Sequence, residues 1–483
     1  MIERLKPYPA YKDSGVEWLG QVPEHWEVLS GHECFVERKQ PNIDLVETTV
    51  LSLSYGRIVV KPEGKLRGLL PASFETYQIV DPGNIVCRPT DLQNDQNSLR
   101  FGLVRNRGII TSAYMSFRTT ERLDSNFGYL LLHAYDVRKI FYGLGSGLRQ
   151  NLDWEDFKRL PCLAPPLPEQ AAIARFLDYM ERRIRWMIRA RQRRIKLLEE
   201  YKQAIIHQAV TGQIDVRTGK PYLAYKESGV EWLGQVPAHW EVRRLKRIAR
   251  LNPSKSEVPL ALRDDRAVFL PMERVGSDGR FDASEVRPIS DLWNGFTYFR
   301  QGDVIVAKIT PCFENDKGAC LENLPTALGF GSTEFHVIRP SKAVISAYLY
   351  RVTTLSEFRR LGADEMTGAA GQQRVPIEFI ANFLIPIPPL PEQTAIVEYL
   401  DDQTAKINAA IEASRREIDF LHEYHTRLIS DVVTGKVDVR EVAAQLPEEP
   451  AEEEEPLGTE DAEATADEET DNNEETADAE EVR

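Results

Sequence analysis

The stretch AYKDSGVEWLGQVPEHWEV, Ala10 to Val28, recurs as AYKESGVEWLGQVPAHWEV, Ala224 to Val242. Seventeen of nineteen positions match, at an offset of 214 residues. Two further repeats lie downstream at an offset of 223. PPLPEQAAIARFLD (Pro165 to Asp178) returns as PPLPEQTAIVEYLD (Pro388 to Asp401), and VTGQIDVR (Val210 to Arg217) returns as VTGKVDVR (Val433 to Arg440). A fixed period of this kind marks a duplicated architecture. Each half runs from a tryptophan motif through a variable stretch to PPLPEQ, a helical stretch and VTG-x-x-DVR. The offset grows by nine residues across the variable stretch alone, which spans about 129 residues in the first half (Leu29 to Phe157) and about 138 in the second (Arg243 to Ile380). Near-identical frames therefore hold unlike inserts, as a scaffold presenting two different surfaces in one geometry would.

After PPLPEQ the pattern turns helical. Pro168 and Pro391 sit just before the helices, where proline is tolerated, and Glu169 and Glu392 favour the positive end of the helix dipole. Ile173, Leu177, Met180, Ile184 and Met187 are spaced 4, 3, 4 and 3, and the register continues to Leu198, Tyr201 and Ile205 past the interruption at Arg191 and Arg194. The second half places Ile396, Leu400, Ile407, Ala410, Leu421, Tyr424 and Leu428 alike. Gly212 and Gly435 are expected helix stops. A helix from about Glu169 to Ile206 would be roughly 57 Å long at ~1.5 Å per residue, about one and a half turns of DNA. The connection between the two seams leaves either packing direction open; the internal two-fold favours antiparallel. The first helix also carries Arg182, Arg183, Arg185, Arg189, Arg191, Arg193, Arg194 and Lys196 with no acid among them. Such a run is either a solvated face or a phosphate or partner contact, with Arg182, Arg183, Arg185 and Arg189 the candidates.

The inserts read as mixed β and α, short apolar runs broken by Gly and Pro. GDVIVAKITPCFENDKGA (Gly302 to Ala319) is a strand and polar loop offering Lys308, Thr310, Asn315 and Lys317. GNIVCRPTDLQNDQ (Gly83 to Gln96) is its counterpart, offering Arg88, Gln93 and Asn94. GIITSAYMSFR (Gly108 to Arg118) parallels GFGSTEFHVIR (Gly329 to Arg339). Each insert ends on a Gly- and Gln-containing loop. GSGLRQNL contributes Arg149 and Gln150, and GAAGQQRV contributes Gln372, Gln373 and Arg374. These are side-chain types that contact base edges or phosphates.

The net charge of −15 belongs to the end of the chain. Glu441 to Arg483 holds 19 acidic residues and one basic one, which leaves residues 1–440 at +3. That segment has almost no large apolar residues and reads as a disordered tail, either a solvating appendage or a phosphate mimic competing with non-specific DNA. Cys34, Cys87, Cys162, Cys312 and Cys320 are scattered, with no CxxC pair, as expected of reduced thiols. No run of about 18 apolar residues spans a membrane, and no apolar signal segment opens the chain, so a cytoplasmic location is expected.

Signatures of chemistry are weak. FYGLG (Phe141 to Gly145) fits the FxGxG of an S-adenosylmethionine site, but no [ND]PP[YFW] partner exists and LGADEMTGAAG in the second half lacks it. Glu37-Arg38-Lys39 and Glu63-Gly64-Lys65 fit ExK without an upstream PD element, and GxxxxGK[ST] is absent. His422 and His425 are spaced like ligands but read as a solvated helix face. Trp18, Trp26, Trp232 and Trp240 read as packing anchors.

The doubled PPLPEQ-plus-helix frame, GVEWLGQVPxHWEV and GDVIVAKITPCFENDKGA together resemble the specificity subunits of type I restriction–modification systems, over residues 1 to about 440. The resemblance implies an α+β chain. Two globular mixed α/β target recognition domains are separated by two long antiparallel helices forming a coiled coil, with an internal pseudo-two-fold. The expected segments are 1–28 and 214–242 (repeated motif), 29–157 and 243–384 (recognition domains), 158–213 and 385–440 (helical regions) and 441–483 (acidic tail, a departure from the family pattern). The resemblance also implies a non-catalytic subunit that binds double-stranded DNA and two modification (methyltransferase) subunits. Motor–nuclease restriction subunits join where the complex cleaves. No cofactor is expected on this chain; S-adenosylmethionine, ATP and Mg belong to the partners. The rival readings are a stand-alone DNA-binding regulator and a protein-only coiled-coil scaffold.

Overall fold

The computed structural model describes residues 5–61, 73–95, 98–144, 151–262, 265–369 and 371–447. Arg149, Gln150 and the acidic segment from 448 onward lie outside them. Five helices carry the argument: α1 (Ser125–Val137), α2 (Leu167–Val210), α3 (Ser346–Thr353), α4 (Ser356–Asp364) and α5 (Leu390–Val433). The chain divides into two units. Unit 1 is Met1–Ala190 with Glu417–Arg483, and unit 2 is Arg191–Arg416. The helical regions expected as segments of their own, 158–213 and 385–440, are therefore each shared between units.

Unit 1 is built on a four-stranded antiparallel sheet. Its strands are β1 (Phe35–Arg38), β2 (Ile85–Cys87), β3 (Phe101–Leu103) and β4 (Met115–Thr119), in the order β1-β4-β2-β3. Every residue of β2 and β3 is buried, as expected of short all-apolar strands covered on both faces. Phe101, Phe117, Phe141 and Phe157 pack with ring centroids 4.7–6.1 Å apart beneath α1. Asp124 caps α1, accepting from the N–H groups of Asn126 and Phe127.

Unit 2 repeats the arrangement with β5 (Ala249–Leu251), β6 (Val304–Ala307), β7 (Gly318–Cys320) and β8 (Phe335–Pro340), in the order β5-β8-β6-β7. Sequences that share almost no identity thus build one topology. A short strand needs only apolar, largely β-branched residues, and VIVA of β6 is buried throughout. Unit 2 adds a second, mixed sheet, in which Arg266–Leu270 pairs parallel with Leu328–Gly331. In each unit the insert is closed by a strand pair between the tryptophan motif and the approach to PPLPEQ: Glu27–Ser30 with Pro161–Ala164, and Glu241–Arg244 with Leu384–Ile387.

The long helices run 44 residues each, beyond the span expected from the sequence. Ile173, Leu177, Met180 and Ile184 are buried in unit 1, as are Leu428, Ile429, Val432 and Val433. In unit 2, Ile205 is buried with Ile396, Leu400, Ile407 and Ile411. There Lys202 Nζ donates to Asn408 Oδ1 at 2.9 Å and Glu199 faces Arg415 at 3.6 Å, so the two helices run antiparallel. Tyr201 departs from the expected seam: it is 56% exposed. The apolar spacing licenses a buried face without placing every member on it.

Candidate nucleic-acid interface

The repeated motifs meet at one residue in each unit. In unit 2, Glu392 in the first turn of α5 accepts from Trp240 Nε1 at 2.8 Å and Tyr222 Oη at 3.1 Å, and pairs with His239 Nε2 at 2.9 Å. Arg217 of the DVR motif stands 3.5 Å away. In unit 1, Glu169 in the first turn of α2 takes the same set: Tyr8 Oη at 2.6 Å, Trp26 Nε1 at 3.0 Å, His25 Nε2 at 2.7 Å and Arg440 at 3.9 Å. Burial opposes the Glu392 charge, but the hydrogen bonds from Trp240 and His239 outweigh it and hold its carboxyl below the usual range. The glycines seal these nodes. Gly212 and Gly435 end the helices at φ of 77° and 76°, and a Cβ on either would come within 2.4 Å of Pro237 or Pro23 and within 2.9 or 3.1 Å of Trp240 or Trp26.

The neighbouring glutamine ties each insert to its helix. Gln170 accepts from the N–H of Asp124, the α1 cap, and donates to the carbonyls of Arg122 and Pro165. Gln393 accepts from the N–H of Ile345, which precedes α3, and donates to the carbonyls of Ala343 and Pro388. From sequence, Glu169 and Glu392 read as helix-dipole residues and the glutamines carry no role. The signal that could have found them is that every partner (Tyr8/Tyr222, His25/His239, Trp26/Trp240, Arg440/Arg217) recurs in the repeat. Trp26 and Trp240 are anchors, 0% exposed. Trp18 packs edge-on to Tyr135 and Trp232 stacks on Phe383.

The frame holds out two loops in each unit. In unit 1 the loop after β2 meets the end of the Gly/Gln loop: the N–H of Leu152 donates to Pro89 O, and that of Asp91 to Asn151 Oδ1. Of the candidates here, Arg88 turns inward to Asp95 at 3.3 Å. Gln93 and Asn94 are exposed, with Asn94 Nδ2 donating to Asp91 Oδ1. In unit 2 the N–H of Val375 donates to Lys308 O and that of Thr310 to Gln373 O, so the two loops named from sequence lie side by side. Thr310 Oγ1 lies 3.2 Å from Gln373 O, and Lys317 Nζ donates to Met272 O. Arg374 forms a two-pronged pair with Glu334, 2.9 Å at each prong, which holds the Glu334 carboxyl below its ordinary range. Asn315 and Gln372 are exposed; Lys308 and Gln373 are half-buried.

On α2, Arg182 pairs with Asp178 at 3.4 Å and Arg185 with Glu181 at 3.2 Å. Arg183 lies over the exposed Trp186 ring. Arg183 and Arg189 are exposed and form no ion pair among the described residues. His425 is not on a solvated face. It lines a cleft with Tyr129, Arg175, Asp178, Glu181 and Ile429, and burial lowers its pKa. His422 is exposed. Among the described residues no group of His, Cys, Asp and Glu is arranged to hold a metal, and no helix is long and apolar enough to cross a membrane. The five cysteines are free thiols.

Residues 237–418 match the family described as the type I restriction modification DNA specificity domain. The chain is 33% identical over 236 residues, 48% of its length, to the type I restriction enzyme EcoAI specificity subunit of Escherichia coli. It is 34% identical over 186 residues, 38% of its length, to the EcoEI specificity subunit of the same organism. It spans 38% and 30% of the lengths of those two relatives. A solved structure described as the basis of complex assembly and conformational transition of the type I R-M system shares the fold, with a TM-score of 0.60 at 15% identity. That likeness covers 85% of this chain and 98% of the other. The chain is thus similar to type I restriction enzyme specificity subunits over the stretches given, and residues 237–418 match the type I restriction modification DNA specificity domain.

Proposed function

We propose that the chain is the DNA-recognition subunit of a type I restriction–modification complex, each unit reading one half of a bipartite site. The observation that carries this reading is the pairing of like frames with unlike loops. The same Glu–Trp–His–Tyr–Arg node and the same strand order stand behind two loop pairs of different sequence. A scaffold that bound only protein would have no use for that difference. Base edges are read by hydrogen bonds from the loops, and phosphates by sequence-independent cations.

In this reading the helices set the gap between half-sites and dock two modification subunits, and the chain performs no chemistry. S-adenosylmethionine serves methyl transfer on the partners, with the target base turned out of the duplex. ATP and Mg serve motor–nuclease subunits where these join. The complex works in the cytoplasm. The test is selection of duplexes from a random pool by the chain with and without its modification subunits. Recovery of a bipartite motif with a fixed gap, dependent on the partners, supports the reading. Recovery of one continuous motif by the chain alone favours the stand-alone regulator.

A further inference from the structure

The loops after β2 and β6 carry similar four-residue tips, although their flanks have diverged. Leu92-Gln93-Asn94-Asp95 in unit 1 matches Phe313-Glu314-Asn315-Asp316 in unit 2 at an offset of 221, the offset that also relates the starts of α1 and α3. In both, the first residue is fully buried, at 0% exposure, and the next two are exposed. Each loop also holds one aspartate at positive φ, at different places: Asp91, just before the four residues, at 61°, and Asp316, the last of them, at 58°. The tip in unit 1 is closed by the N–H of Asp95 donating to Asp91 O, and in unit 2 by the N–H of Asp316 donating to Phe313 O.

Each tip is pinned from inside by a buried arginine, and the two arginines come from unrelated elements. Arg100, 0% exposed, donates to the carbonyls of Arg88, Thr90, Asp91 and Asp95 and lies against Tyr142. Arg359 of α4 donates to Phe313 O at 2.9 Å, pairs with Asp316 at 3.1 Å and lies over the Phe313 ring. A guanidinium fixes a turn without a sheet or helix around it, Arg100 through four loop carbonyls and Arg359 through one carbonyl and a carboxylate. Two independent solutions to the same problem indicate that the tips must be held rigid and presented alike.

Within the described part of these loops, one equivalent position is exposed, uncommitted and different between units. Arg88, Thr310 and Lys317 are engaged inward. Asn94 and Asn315 are identical and cannot tell two half-sites apart. Gln93 and Glu314 are isosteric, exposed and without a side-chain hydrogen bond or ion pair among the described residues. They differ in what they can accept and donate. A glutamine amide matches the paired acceptor and donor of an adenine edge, whereas a carboxylate accepts from the exocyclic amine of cytosine. A carboxylate is also repelled by phosphate, which places Glu314 over a groove rather than along the backbone.

We propose that position 93 and its equivalent 314 form a specificity-determining pair, Gln93 reading an adenine edge in one half-site and Glu314 a cytosine amine in the other. The inference rests on the two-unit reading above. The experiment is methyl transfer by the full chain with its modification subunits on a duplex library randomised in both half-sites. Wild type, Gln93→Glu and Glu314→Gln are compared by sequencing the methylated pool. Each swap is expected to change the preferred base at one position of one half-site by about 5- to 150-fold, the worth of a good bidentate pair. Motifs identical to wild type in both swaps overturn the proposal. So does a uniform fall in methylation with the motif unchanged, which marks a sequence-independent contact, and so does a change in both half-sites from one swap. A wild-type complex that methylates no bipartite motif instead sinks the recognition reading itself, so the two failures are distinguishable.

Discussion

Glu392→Gln removes a charge that three donors share and changes almost nothing in volume. The carboxylate accepts from Trp240 and Tyr222 and pairs with His239, while Glu392 is 8% and Trp240 0% exposed. Hydrogen bonds to a charged group contribute ~1.5–3 kcal/mol and neutral ones ~0.5–1.5 kcal/mol. A glutamine amide can keep its one acceptor oxygen on Trp240 and Tyr222, but both bonds become neutral, at a cost of ~1 kcal/mol each, and the pair with the half-exposed His239 is lost. The half-exposed Arg217 pair at 3.5 Å adds little. The expected loss is about 2–4 kcal/mol of local stability. At tenfold per ~1.4 kcal/mol this is about 30- to 700-fold faster opening. Hydrogen exchange read by mass spectrometry on peptides covering 222–242 and 388–400 measures it directly. Glu169→Gln should do the same to 8–28 and 165–177. Exchange within about 3-fold of wild type at 222–242 would refute the node as the lock of the frame. Equal acceleration of both tryptophan motifs by one substitution would contradict its confinement to one unit.

His133 is held neutral, its pKa lowered to about 4 by burial and by His425 against the opposing pull of Glu181. The unfolded chain binds this proton near 6.5 and the folded one does not until about 4, so stability of unit 1 should be flat above pH 6.5 and fall as pH drops towards 4. His133→Asn should flatten that slope in urea unfolding, where the His133 share is about 3 kcal/mol at most; an unchanged slope would discount the residue. Truncation after Pro447 keeps Leu446, whose carbonyl accepts from Arg175, and removes the acidic segment. If that segment competes with phosphates, non-specific DNA binding at low salt should strengthen and its salt dependence steepen; an unchanged isotherm marks an inert appendage. Exchange of residues 29–157 for another insert should alter one half-site of the methylated motif, and alteration of both would count against modular units.

The frame was open to sequence reading because it is written twice. Repetition exposed the tryptophan motif, PPLPEQ and the DVR segment, and apolar spacing exposed the long helices. What those motifs do to one another was hidden by chain separation. Glu169 reaches back 143 residues to Trp26 and forward to Arg440, which belongs to the other copy of the repeat. A helix-dipole account of Glu169 therefore looked sufficient when only its neighbours were in view. The equivalence of the tips was masked by drift of the offset from 214 to 223 within the inserts, so LQND and FEND fell out of line by a few residues. The inward turn of Lys317 and Arg374 follows from acceptors elsewhere in the chain, Met272 O and Glu334, which no local pattern announces, and Arg88 turns to Asp95 within its own loop. Tyr201 shows the limit of the heptad argument: spacing sets the angle of a residue around the helix, while its burial depends on what the opposite helix offers there.

The central claim is tested most directly by single-molecule methylome sequencing of a host carrying this chain and the modification subunits proposed for it, with and without the gene for this chain. The account predicts a bipartite motif with a fixed unread gap whose methylation disappears when the chain is removed. Methylation unchanged by its removal would contradict the recognition role.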